Sequence, residues 1–125
     1  MATTRKHSRK RDAILQCLRE TTEHPTAEWI FSKLKPQLPD LSLGTVYRNL
    51  TLFKEEGTIE SVGTVGGLER FDGCTEPHAH FICTNCETVS DLGPIELPQA
   101  VPMLDPEAQL SGCRLCYFGL CSKCK

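Results

Sequence analysis

Apolar residues recur at helical spacing three times in the first half of the chain and then give way to strand-like runs. Ile14, Leu15 and Leu18, with Cys17, form the first stripe, which runs out near Thr21 and Thr22 ahead of His24-Pro25-Thr26. A second helix is predicted to start at Thr26 as N-cap and to bury Trp29, Ile30 and Leu34. It stops before Pro36 and Pro39, because a residue ahead of proline is driven out of the helical region. Ser42 caps a third helix, in which Val46, Leu50 and Phe53 share one face and Gly57 is the C-terminal stop. Thr45, Tyr47, Arg48 and Asn49 are then left to face outward. Thr58 to Val62 and Leu68 to Phe71 flank Val65-Gly66-Gly67, a β-hairpin signal. Three short helices closing on a two-stranded hairpin make a winged helix-turn-helix. On that plan the third helix enters the major groove, with Tyr47 and Arg48 reaching bases or phosphates. A small helical bundle with a solvated polar face meets the same pattern.

The second half reads differently. Cys83/Cys86 and Cys121/Cys124 are two Cys-x-x-Cys pairs, and the first follows directly on His78-Ala79-His80-Phe81-Ile82. Zinc takes thiolates in tetrahedral sites, and a two-residue spacer lets two Cys of one turn share an ion without strain, so two pairs in so short a chain predict structural zinc. The competing reading is a pair of disulfides in an exported domain. It is disfavoured by a charged, Thr-rich start with no apolar export segment, which leads to the expectation of a cytoplasmic protein. His78 and His80, two apart, point to one face of a strand, and Asp91 lies on the strand predicted to pair with it, Thr88 to Asp91. Imidazole and carboxylate without thiolate suit Fe(II), Mn(II) or Zn(II), which makes this site distinct from the thiolate one.

At 125 residues the chain holds one domain or two small ones, and a metal clip compensates for the modest core. No apolar run approaches the ~20 residues that span a bilayer. The net charge of −2 hides an asymmetry. Residues 1–60 carry 10 Lys/Arg against 8 Asp/Glu, whereas residues 61–125 carry 4 against 8. Arg5, Lys6, Arg9, Lys10 and Arg11 concentrate positive charge at the start, which suits a polyanion such as DNA.

Thr45-Val46-Tyr47-Arg48-Asn49-Leu50, the stretch His24 to Glu28, and His78-Ala79-His80-Phe81-Ile82-Cys83-Thr84-Asn85-Cys86 together resemble the ferric uptake regulator family of bacterial metal-dependent repressors. The match covers roughly residues 8–92 and 112–124. The resemblance implies an α+β protein with a winged-helix DNA-binding domain (1–71), a hinge (72–77) and a small α/β dimerisation domain (78–125). It further implies a homodimer on palindromic double-stranded operator DNA, and structural Zn(II) on Cys83, Cys86, Cys121 and Cys124. The DNA contacts carried over are Thr45, Tyr47, Arg48 and Asn49, with Arg9 and Arg11 of the basic start.

Within the family, the peroxide-sensing branch supplies His24, Asp72, His78, His80 and Asp91 as ligands for regulatory Fe(II) or Mn(II). All five positions hold competent ligands. The iron-sensing branch usually carries Glu where this chain has Asp91, and the zinc-sensing branch usually carries Cys where it has Asp72. The shorter carboxylate favours peroxide sensing, with iron sensing as the alternative. Cys74, two residues beyond Asp72, keeps zinc sensing third. In the peroxide branch Fe(II) and hydrogen peroxide lead to oxidation of a ligand histidine, here His24 or His78, and release of DNA.

Two other classes compete. Two His, nearby carboxylates and a metal also serve small hydrolases and iron oxygenases, but the chain offers little length for a substrate pocket and the winged helix would have no task; no enzymatic activity is expected. A zinc-stabilised interaction module accounts for the thiolates and assigns nothing to His24 or Asp91. Two features depart from the family, a run of prolines and a short start with only a few residues ahead of the first clear helix. Pro94, Pro98, Pro102 and Pro106 forbid a long α-helix over 94–106, leaving at best a helical turn opened by Asp105-Pro106-Glu107. Cys113 and Cys116 form a third pair. On a last strand over 113–120 they fall on opposite faces and cannot share one ion.

Overall fold

Each of the three helices begins on a hydroxyl. Ser8, Thr26 and Ser42 accept hydrogen bonds from the backbone N–H groups of Arg11 (3.3 Å), Trp29 (3.1 Å) and Thr45 (3.1 Å). Each bond satisfies one of the donors that a helix N-terminus leaves unpaired. The helices so started are α1 (Arg9–Glu20), α2 (Ala27–Leu34) and α3 (Leu43–Glu56). In this computed structural model residues 8–95, 105–110 and 113–125 are described, and the chain divides into two compact units, Met1–Thr75 and Glu76–Lys125. Among the described residues no helix is long and apolar enough to cross a membrane.

The first unit is built on the predicted stripes. Ile14 and Leu18 of α1, Ile30 and Leu34 of α2, and Val46, Leu50 and Phe53 of α3 close around Leu41, Ile59 and Phe71. Burying one such side chain is worth about 1.5–3 kcal/mol, so this cluster dominates the stability of the unit. Gly57 ends α3 in the left-handed region (φ 77°), returning its N–H to the carbonyl of Lys54. The hairpin follows as β1 (Glu60–Val65) and β2 (Leu68–Asp72). Its first strand is shifted from the expected Thr58 to Val62, starting at Glu60, because Thr58 and Ile59 still give their N–H groups to the carbonyl of Phe53 at the end of α3. Val65 pairs with Leu68, so the turn is the two residues Gly66 and Gly67, both at positive φ as a tight hairpin turn requires. Lys54 of α3 meets Glu69 of β2 at 2.9 Å and ties the hairpin to the third helix.

The second unit is a three-stranded sheet ordered β4-β3-β5, with β3 (His78–Cys83) at the centre. β4 (Val89–Pro94) is antiparallel to it and β5 (Cys116–Gly119) parallel. Ala79, Ile82, Cys83 and Val89 are the only buried apolar residues among those described here. So small a core leaves the sheet dependent on another tie. Pro94 closes β4, and Asp105 opens a single turn in which its carboxylate accepts from the N–H of Glu107 at 3.0 Å. Pro98, Pro102, Arg5 and Lys6 lie outside the described residues. The last strand is shorter than 113–120. Cys116 starts it opposite His80, and Cys113 precedes it, exposed. Tyr117, Phe118 and Leu120 are exposed on and just after this edge strand.

Candidate metal centre and nucleic-acid interface

The four predicted zinc ligands converge within the second unit. Cys83 ends β3, Cys86 lies in the turn after it, and Cys121 and Cys124 follow β5. The Thr84 N–H donates to the carbonyl of Gly119 at 2.8 Å, which brings the two knuckles together. None of the eight cysteines is joined in a disulfide, which sets the disulfide reading aside. One sulfur from each of Cys83, Cys86, Cys121 and Cys124 lies within 4.8 Å of the others, and Cys86 and Cys121 approach to 3.8 Å. A tetrahedron with Zn–S bonds of about 2.3 Å has edges of about 3.8 Å, so the donor set fits zinc.

The protonation of these thiols points the same way. Backbone N–H groups of Cys86 (3.5 Å) and Cys121 (3.4 Å) donate to the Cys83 sulfur and bring its pKa down to about 6. Hydrogen bonding to Thr88, first through its hydroxyl, lowers that of Cys86. At Cys124 the Asn85 amide donates to sulfur and pulls downward. Proton sharing with Cys121, Cys83 and Cys86, together with desolvation, outweighs it and lifts Cys124 to about 11. Four sulfurs so close cannot all ionise against one another. A dication removes the conflict.

In the first unit, His24 and Asp72 form a buried pair, 2 % and 5 % exposed, with Nδ1 and Oδ2 3.8 Å apart. The hairpin positions both. Arg70 Nε donates to the carbonyl of His24 at 2.9 Å, and the Phe71 N–H donates to that of Pro25 at 3.0 Å. His24 is held at φ 51°, a left-handed conformation uncommon outside glycine. Asp72 turns its other oxygen to the N–H of Cys74 at 2.9 Å, leaving the Cys74 thiol itself exposed. A buried imidazole on a strained loop residue is more than a surface histidine ahead of a proline.

In the second unit, Asp91 stands opposite His80 in the register of β3 and β4. Its Oδ1 lies 3.0 Å from Nε2 of His78 and 3.5 Å from Nε2 of His80, and the two rings are 4.5 Å apart. The expected shared face is therefore present. His78 Nδ1 meets the Glu76 carbonyl at 2.6 Å, and since a carbonyl only accepts, Nδ1 carries the proton. In neutral His78 the Nε2 lone pair then faces a carboxylate oxygen, and a second imidazole nitrogen sits close by. Such a cluster of acceptors suits a cation, and imidazole with carboxylate is a donor set for Fe(II), Mn(II) or Zn(II).

A profile of the family described as "Ferric uptake regulator family" matches residues 2–111, most of the chain. The chain belongs to the ferric uptake regulator family. Among relatives, the "Peroxide operon regulator" of Bacillus subtilis is 35 % identical over 124 residues, spanning 92 % of this chain and 81 % of that protein. The "Peroxide-responsive repressor PerR" of Staphylococcus epidermidis is 30 % identical over 118 residues, 93 % and 79 % of the two chains. Among solved structures, the ferric uptake regulator Fur of Helicobacter pylori, described as having three functional metal binding sites, superposes with a TM-score of 0.75. That match is 22 % identical and spans 95 % of this chain and 81 % of the other. The fold is thus that of a ferric uptake regulator, with the winged helix in the first unit.

The four α3 positions expected to face outward differ in exposure. Tyr47 and Arg48 are exposed, whereas Thr45 and Asn49 are half-buried. The Asn49 amide donates back to the Thr45 carbonyl at 2.9 Å, and the Thr45 hydroxyl contacts Ser42 and accepts from Arg48 at 3.3 Å. Both side chains shape the helix start, since the cap geometry draws them inward. Arg9 is exposed at the first residue of α1, while Arg11 is half-buried. Sequence reasoning missed Glu28, whose carboxylate accepts from the Tyr47 hydroxyl at 2.7 Å. No local pattern links residues on two different helices.

Proposed function

We propose that this protein is a metal-dependent transcriptional repressor that binds double-stranded operator DNA as a homodimer and releases it on exposure to hydrogen peroxide. The observation that carries the reading is the pair of incomplete ligand sets, His24 with Asp72 in the first unit and His78, His80 and Asp91 in the second. One regulatory ion drawing on all five constrains the two units to each other. Dimeric readers of this kind need their recognition helices about 34–36 Å apart, so metal binding selects the DNA-competent state. Zn(II) on the four cysteines is structural. The exposed edge strand β5, with Tyr117, Phe118 and Leu120, supports a second copy as the covering surface. The signal is peroxide, the setting is the bacterial cytoplasm, and no catalytic turnover is assigned.

Fe(II), when bound, supplies the electrons that make hydrogen peroxide an oxidant of a nearby side chain. His78 presents Nε2 because its Nδ1 proton is engaged by Glu76, and Asp91 holds the open side of that imidazole. His24 is buried on the hairpin-clamped loop and shielded from bulk water. Oxidation of either imidazole removes one ligand and with it the constraint between units.

The test is mass spectrometry paired with a DNA shift assay. Iron-loaded protein treated with dilute hydrogen peroxide should gain one oxygen atom on a peptide containing His24 or His78 and lose DNA binding, while manganese-loaded protein resists. Unmodified histidines with persistent iron-dependent binding would transfer the assignment to iron sensing, and activation by zinc alone to zinc sensing.

A further inference from the structure

Tyr47 lies on the outward side of α3, 40 % exposed, yet its hydroxyl proton is already committed. It donates to Oε2 of Glu28 at 2.7 Å, across 19 residues of chain and from one helix to another. Glu28 occupies the first turn of α2, where the helix dipole favours a carboxylate. Its second oxygen, Oε1, is buried with no hydrogen-bond partner among the described residues. A carboxylate with an unsatisfied buried oxygen has few other donors to stabilise it, so the phenol proton matters to it. The pKa of Tyr47 is raised chiefly by this hydrogen bond, which shows the bond favouring the protonated phenol.

The consequence concerns what Tyr47 has left to offer. A phenol has one proton and two lone pairs. With the proton on Glu28, the oxygen accepts and the ring edge makes apolar contact, but donation to a phosphate requires breaking the bond. That would bring two anions, the phosphate and Glu28, onto one hydroxyl. We infer that Glu28 is a positioning residue that latches Tyr47 so that it meets DNA as an acceptor and an apolar ring edge, reading bases rather than gripping phosphates. The inference rests on the reading of α3 as the DNA-contacting helix.

The experiment uses the full chain loaded with Zn(II) and Mn(II), and a duplex that this protein selects from a randomised library, with a scrambled duplex as control. Tyr47→Phe and Glu28→Ala should each lower the affinity ratio of selected over scrambled duplex by roughly three- to tenfold, the effect of one typical lost hydrogen bond. The double variant should be no worse than either single one, since both remove the same contact. Glu28→Gln keeps an acceptor in nearly the same shape and should stay within about twofold of the parent, with salt dependence unchanged throughout. The latch is overturned if the two losses add, if Tyr47→Phe weakens both duplexes equally with a shallower salt slope, or if Glu28→Ala is silent while Tyr47→Ala weakens selected binding. A silent Tyr47→Ala removes the α3 reading itself and the latch with it.

Discussion

The thiolate cluster and the histidine–aspartate ligands are both metal sites in character, and they are built in opposite ways. The four cysteines lie within one unit, in two short knuckles joined by a backbone hydrogen bond, and they hold together a sheet that has almost no core of its own. The five His and Asp residues proposed as regulatory ligands are divided, two in the well-packed first unit and three on the thinly packed second. A site contained in one unit stabilises that unit and tells its neighbour nothing. On the proposed function, an ion that draws on both ligand sets would make occupancy and domain geometry the same variable, which is what a sensor requires.

The sharpest way to break this comparison is to remove one thiolate. Free energies of structural zinc sites reach about 10–16 kcal/mol and are folding free energies, so Cys121→Ser should unfold the second unit or abolish the dimer. Zinc content and sedimentation measure it, and full occupancy in a native dimer would refute the structural assignment. The divided set is expected to behave otherwise. His24→Ala should leave zinc and the fold of the second unit intact, lower Mn(II) affinity by at least about tenfold, and remove metal-dependent DNA binding. Unchanged Mn(II) affinity would mean that the two ligand sets serve separate purposes.

The smallest effect is a pH dependence confined to the thiolate region. In zinc-free protein the Cys83 pKa is depressed to about 6 from an ordinary 9.0. Its contribution to stability is therefore present above pH 9 and lost as pH falls through about 6. Cys124 is raised to about 11, so its contribution is present below pH 9 and lost as pH rises through about 11. Thiolate ultraviolet absorbance of the metal-free protein should show a step near pH 6 that Cys83→Ser removes. Its persistence in that variant would place the low-pKa thiolate elsewhere in the cluster. With zinc bound neither step should appear, because every sulfur is ionised.

Much of the first unit was legible because its signals are local. A hydroxyl ahead of a stripe, as at Thr26 and Ser42, and a glycine behind one, as at Gly57, act through bonds spanning three or four residues. Ser8 caps α1 through a bond of the same short span. The pairing of Asp91 with the histidine strand was legible too, since a period of two and a short turn leave little freedom of register.

By itself, then, the sequence determined the three helices with the caps at Thr26 and Ser42, the glycine turn, the two Cys-x-x-Cys pairs, and the shared face of His78 and His80. All of these follow from periodicities and spacings of a few residues. Tertiary structure alone decided that His24 is buried at positive φ with its carbonyl held by Arg70, that β5 begins at Cys116 beside His80, and that Glu28 holds Tyr47. Each depends on where a distant segment packs, and that is set by the sum of many weak contacts rather than by any pattern a short window contains.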